Sequence, residues 1–211
     1  MHADAPRTAL DLQASASTQG RDLPAELQLT LGNAEAGRWN EGRLPLRTLS
    51  LRLQARPDQP SQLDVQAFEA ELGSNRAVAG RLSGSGQWNP TSWRVDTRLS
   101  ALRPALIDVR APDMRLDGRL QLDGSGFDGQ AAQVEARGQL DGQLLGRGPA
   151  QPVQVRLDLR AQRLQVELRE LLAQSGDARA SLTGRLTRPT PLAGWSARGQ
   201  ATLREFDPLP W

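Results

Sequence analysis

The 211-residue chain carries one histidine, His2, and no cysteine. That composition supplies neither a Ser–His–Asp or Cys–His relay nor an imidazole or thiolate metal site. Carboxylates number 24, enough to furnish a pair for general acid–base work. Most of them occupy alternate polar positions or turns, where a solvated sheet face accounts for them. Gly124-Ser125-Gly126-Phe127-Asp128-Gly129 has the G-x-G-x-x-G spacing that lets backbone amides approach a pyrophosphate. That chemistry needs a helix to follow, within a parallel sheet. The residues that do follow, Val134-Glu135-Ala136-Arg137-Gly138, alternate like a strand, so a hairpin turn is expected. The stretch also matches a single calcium-binding glycine–aspartate repeat, but it has no tandem copy. We expect no catalytic residue, no metal and no cofactor; the chain is read as a non-enzyme.

Five tryptophans stand out in a chain with three phenylalanines and no tyrosine: Trp39, Trp88, Trp93, Trp195 and Trp211. An indole suits a boundary between apolar and wet surroundings. Trp93, Trp195, Phe206 and Trp211 are therefore expected at the rim of an apolar groove or at a junction between repeats, where they would serve as structural plugs.

The elements that position these residues follow from a period of two. Leu27, Leu29 and Leu31 alternate with polar residues, as do Leu49, Leu51 and Leu53, then Leu63, Val65 and Ala67. The pattern recurs in Leu116, Leu120 and Leu122, in Val153, Val155, Leu157 and Leu159, and in Leu164, Val166 and Leu168. Each run places aliphatics on one face and charges on the other. Segments such as Gly84-Ser85-Gly86, Gly146-Arg147-Gly148-Pro149 and Ser175-Gly176-Asp177 punctuate the runs as turns. Ten to fifteen strands joined mostly by antiparallel hairpins are expected, with a short helical turn near Pro104. Leu164, Leu168, Leu171 and Leu172 also fit one face of a helix; a strand is preferred because Val166 completes the alternation.

Only 38% of the residues are apolar, too few for a thick core faced on both sides. The set is dominated by 34 Leu, against 8 Val and one Ile. Ordinary sandwiches interlock β-branched and aromatic side chains; a leucine face is more fluid. All 26 basic residues are Arg, interspersed with acids, so the pI of 10.6 accompanies a net charge of only +2. No basic block with interleaved aromatics suggests nucleic acid. No apolar run approaches a membrane span, and Met1-His2-Ala3-Asp4 is not a signal peptide.

Gly-Arg-Leu occurs at Gly42, Gly80, Gly118 and Gly184. A longer echo joins Ala77 to Leu82, Trp93 and Leu102-Arg103-Pro104 with Ser181 to Leu186, Trp195 and Leu203-Arg204-Glu205-Phe206-Asp207-Pro208. Two copies of a unit near 100 residues are expected: residues 25–110 and 111–211, continuous with each other, after a poorly ordered start or truncated strand over 1–24.

These Gly-Arg-Leu strands, the tryptophans and the Leu203-to-Trp211 close resemble the periplasmic repeats of the TamB family, relatives of the AsmA-like proteins. The resemblance spans roughly residues 25 to 211. It implies an all-β fold: a long, curved, mostly antiparallel sheet curled into an open apolar groove of the β-taco kind. It also implies a periplasmic segment of an inner-membrane-anchored protein of a Gram-negative bacterium. Phospholipid acyl chains would be its partners, and a TamA-like outer-membrane barrel would be reached through a further C-terminal region. Function would be phospholipid conduction between the membranes in support of outer-membrane biogenesis. Alternatives are a chaperone-like scaffold for outer-membrane β-barrel or autotransporter assembly, and a secreted β-solenoid adhesin segment.

Overall fold

In the computed structural model, the residues described are 6–18, 20, 23–56, 58–126, 132–145, 150–190 and 193–205. Twelve strands follow one another: β1 Leu10–Ser17, β2 Ala25–Asn33, β3 Leu46–Arg56, β4 Gln59–Ser74, β5 Ala77–Trp88 and β6 Ser92–Leu102. The series continues with β7 Met114–Ser125, β8 Gln133–Leu144, β9 Gln151–Gln162, β10 Gln165–Ser175, β11 Ala178–Thr187 and β12 Ser196–Arg204. They form one open sheet in strict sequence order, every pairing antiparallel. The only helical pieces among the described residues are a 3₁₀ turn at Trp39–Glu41 and a single turn, α1, at Pro104–Ile107. An all-β, curved, open sheet is thus the fold, and β1 lies within residues 1–24, the stretch expected as a poorly ordered start or truncated strand. Strands β6 and β7 pair across residue 110, so the sheet does not break between the two expected repeats.

The hairpins have local causes. Ser175 pairs with Ala178 across Gly176-Asp177, and Gly176 takes φ 58°, which glycine adopts without a Cβ penalty. Asn89 organises the β5–β6 turn: its side-chain oxygen accepts from the backbone N–H groups of Thr91 (3.0 Å) and Ser92 (2.8 Å). Gly84-Ser85-Gly86, expected as a turn, lies instead inside β5. Residues 146–149 and 127–131 lie outside the described residues. Strand β8, not a helix, is the next element after the glycine-rich stretch.

Bulges account for the leucine pattern that looked helical. Strand β10 is a strand through Ser175, but its register shifts between Leu168 and Glu170. Leu168 and Leu171, three residues apart, therefore pair with Leu159 and Leu157 on the same face. The same shift carries β4 from Val65 to Phe68 and β6 from Leu99 to Leu102. Ala67 is consequently turned to the polar face opposite Arg52, and Phe68 takes the apolar position expected of it. In β6 the bulge holds Ala101 at φ 52°, and its N–H donates to Asp117 Oδ1 at 2.8 Å.

The core is small and sits at one end of the strands. Met114, Leu116, Leu144 and Val153 form its centre, with Leu102, Leu140 and Val155 packed against them. Here α1 packs against β4, β5 and β7. The loops at this end are tied together: Val109 N–H donates to Asn40 Oδ1 (3.2 Å), and Asn75 N–H to the Ala36 carbonyl (3.2 Å). Asp108 follows α1 and accepts from the side chain and backbone N–H of Arg110, which holds its carboxyl down at about 2. Its favourable contribution is complete above the ordinary aspartate range and disappears as pH falls through about 2. A carboxyl NMR titration should place the Asp108 midpoint there, and Arg110→Gln should return it toward 3.8.

Candidate functional site

The pairings join the apolar positions into rows that cross the whole sheet. One row runs Ala14–Leu29–Leu51–Phe68–Gly84–Thr97 in β1 to β6. It continues Leu120–Gly138–Leu157–Leu171–Leu182–Ala201 in β7 to β12. A second row begins Leu12–Leu31–Leu49–Ala70–Leu82–Leu99 and ends Gly118–Leu140–Val155–Ala173–Ala180–Leu203. A third begins Ala16–Leu27–Leu53–Val65–Gly86–Val95 and ends Leu122–Ala136–Leu159–Leu168–Gly184–Gly199. None of the three contains a charge, and Thr97 is their single polar side chain. At ~4.8 Å per strand the apolar face is about 50 Å long.

A fourth row forms the rim at the strand ends opposite the core. It includes Leu63–Trp88–Trp93–Gly124–Val134 and then Ala161–Val166–Leu186–Ala197. The Trp93 indole lies over Gly124, whose hypothetical Cβ would come within 2.0 Å of the ring. Trp195 stands just before β12, and the Arg188 guanidinium sits 4.7 Å from its ring centroid. Trp93 lies in this row and Trp195 just before β12, while Phe206 and Trp211 lie outside the described residues.

Most of the eighteen aliphatic candidates fall on this face. Leu27, Leu29, Leu31, Leu49, Leu51, Leu53, Leu63, Val65, Leu120, Leu122, Val155, Leu157, Leu159, Val166 and Leu168 stand there half-buried. Three do not line open surface. Leu116 and Val153 are buried in the core cluster, and Leu164 lies in the β9–β10 turn. Sequence reasoning read β8 as a strand only from Val134 to Gly138 and named no apolar run in β5, β6 or β11; β5 and β11 put Gly84, Gly86 and Gly184 at inward positions, and β6 puts Thr97 there. Leu116-x-Gly118-x-Leu120-x-Leu122-x-Gly124 and Ala136-x-Gly138-x-Leu140-x-Gly142-x-Leu144 carry the period once glycine is counted as an inward residue.

Those glycines are required by close approach. A Cβ on Gly138 would meet Leu120 Cδ2 at 2.3 Å, and one on Gly142 would meet the Arg115 carbonyl oxygen at 1.9 Å. Large side chains lean over the bare backbone of the next strand, which packs the face without a second layer.

The other face is polar. Its central row runs Thr30–Ser50–Glu69–Ser83–Arg98–Arg119–Gln139–Arg156. Nearby, Arg94 Nε contacts Asp123 Oδ1 at 2.6 Å, and Glu135 gathers Arg137, Arg160 and Arg169 at 3.1 to 3.7 Å. Arg185 donates to Glu167 at 2.9 Å, which holds the Glu167 carboxyl below its ordinary value. A hollow of about 1030 Å³ opens on this polar face between β5 and β10. It is lined by Arg98, Arg119, Arg137 and Arg156 and by Asp96, Asp141, Asp158 and Glu170. The two signs balance there, so the hollow favours neither anion nor cation. A twisted sheet is a saddle, hollow on each face along a different diagonal. The apolar face belongs to one open twelve-stranded sheet whose first and last strands are not paired with each other.

The accessible surface, 14073 Å², is far above the roughly 9,600 Å² of a compact protein of 22.9 kDa. The excess reflects the single layer. Leu12 (62% exposed) and Leu203 (59%) mark the two margins of the apolar face, on edge strands with one pairing partner each.

Fold and site together define a single-sheet, all-antiparallel β protein with one charge-free face. Comparison with family models, curated proteins and solved structures gives no match.

Proposed function

We propose that this chain is a non-enzymatic, TamB/AsmA-like segment whose apolar sheet face holds phospholipid acyl chains on their way between the inner and outer membranes. The observation that carries this reading is the set of three charge-free rows, continuous through all twelve strands. Removing one CH₂ fully from water is worth ~0.8 kcal/mol; a 16-carbon tail lying on an open face would lose roughly half its hydration and gain on the order of 5 kcal/mol. Spread over equivalent leucines, that gain holds a tail without a deep trap, so the tail can slide. The backbone under it is hydrogen-bonded strand to strand, so hydrocarbon meets no orphaned amide. In this role the chain works in the periplasm, and a barrel protein in the outer membrane receives the cargo.

The test is uptake. Chain stripped of lipid in detergent, then returned to buffer, should take up fluorescent-tail phosphatidylglycerol from vesicles with a micromolar midpoint. Absence of uptake at any lipid concentration would sink the proposal.

Strands β1 and β12 favour a second reading. Both are exposed along their whole length, and among the described residues each pairs with a neighbouring strand on one edge only. A free edge can add an incoming strand by main-chain pairing, as a scaffold for unfolded barrel segments would. Crosslinks from β1 or β12 to a nascent barrel strand, with no lipid uptake, would establish that role instead.

A further inference from the structure

We propose that copies of this chain join head to tail, the β12 edge of one pairing antiparallel with the β1 edge of the next. Among the described residues these two strands pair on one edge only, and both are exposed along their whole length. An uncovered strand edge is a template for a further strand. Which strand fits depends on its direction, on which residues turn N–H and C=O outward, and on the side chains of each face. Such pairing requires no lipid.

Direction fits, because the twelve strands alternate and β12 runs opposite to β1. Backbone polarity fits as well. The Ala34 N–H donates to the Ala9 carbonyl at 2.9 Å, in step with the β1–β2 register. Odd-numbered residues of β1 thus bond β2, and Leu10, Leu12, Ala14 and Ala16 turn their N–H and C=O to the free edge. At the other margin the Arg188 N–H donates to the Leu164 carbonyl at 3.0 Å, so even-numbered residues of β11 face β10 and odd-numbered ones face β12. Their partners in β12 are even-numbered, which leaves Ala197, Gly199, Ala201 and Leu203 turned outward. Setting Ala14 against Ala201 brings Leu12 to Leu203 and Ala16 to Gly199, so each of the three apolar rows runs on into its own counterpart. Leu12 and Leu203, both well exposed, then cover each other. On the polar face the same register sets Asp11 against Arg204. These fall in a non-hydrogen-bonded pair, where side chains lie closest and opposite charges are favoured. Arg204 meets a like charge, Arg179, on its other side. Two β12 edges paired about Ala201 would set Arg198 against Arg204 twice, and two β1 edges paired about Ala14 would set Asp11 against Ser17. Charge therefore selects the unlike edges. A contact between unlike edges has no two-fold axis to close it, so it yields an open row of copies.

The full chain contains no cysteine, so introduced thiols report this contact alone. Gln13→Cys and Thr202→Cys stand directly opposed in the proposed register, within reach of a disulfide. The two single variants, one carrying a mass tag, should give the cross-dimer in preference to either self-dimer when mixed under mild oxidation. Predominance of a self-dimer, or no disulfide, would overturn the head-to-tail contact. Sedimentation equilibrium should show the wild type growing beyond a dimer as concentration rises; a chain that is monomeric or strictly dimeric at every concentration would overturn it too. Asp11→Arg, which sets two arginines against each other, should weaken association about fivefold or more. Adding Arg204→Asp should restore it, with circular dichroism verifying the fold of each variant. A double variant as weak as Asp11→Arg alone would mean that this register is wrong.

Discussion

Leu157→Arg should abolish phospholipid uptake while leaving the sheet folded. Leu157 stands within the central apolar row, between Gly138 of β8 and Leu171 of β10. It is half-buried and lies outside the core cluster of Met114, Leu116, Leu144 and Val153. An arginine there can lift its guanidinium to water, so folding is tolerated. A sliding tail, however, must cross that position, because the row is continuous on both sides. Contact with the charge replaces several methylene contacts and forces a partly dehydrated cation against hydrocarbon, at a cost of several kcal/mol. Uptake from fluorescent vesicles should fall about a hundredfold or more. Thr183→Arg, which puts the same charge on the polar face of β11, should leave uptake unchanged. Equal effects of the two variants would mean that the face does not matter.

Gly142→Val should unfold the centre of the sheet. A Cβ at this position falls 1.9 Å from the Arg115 carbonyl oxygen and 2.9 Å from Leu116 Cα, both backbone atoms of β7. Neither can move without opening the β7–β8 pairing, and Leu116 belongs to the core cluster. Overpacking alone costs ~1–3 kcal/mol, and here lost pairing adds to it. With eight buried apolar residues among those described, the fold has little reserve. Urea denaturation should show a midpoint too low to measure, or no transition. Gly32→Ala is the counterpart: nothing lies within 4 Å of its hypothetical Cβ, so stability should hold or rise by up to ~1 kcal/mol. If both variants melted alike, the close approach at Gly142 would not be what requires glycine there.

The contrast between these two glycines shows where the chain could be read and where it could not. Alternation is local, so Leu27-x-Leu29-x-Leu31 and Val153-x-Val155-x-Leu157-x-Leu159 announced strands, faces and the all-β class from the sequence alone. Pro104 likewise announced the helical turn. Bulges are not local. The sequence around Leu168 fits either a helix or a strand, and only the partners Leu159 and Leu157 decide that Leu168 and Leu171 share a face. Glycine is ambiguous for the same reason. Gly84 looks like a turn residue until Phe68 and the Asp96 carbonyl arrive beside it from neighbouring strands. Residue identities along the chain determined that one face would be apolar and that histidine and cysteine chemistry was closed to it. Only the tertiary structure decided that twelve strands would join those faces in register, that Leu116 and Val153 would be buried at one end, and that Arg188 and Trp195 would meet at the other. Neighbours distant in sequence impose register and burial, and no single strand carries that information.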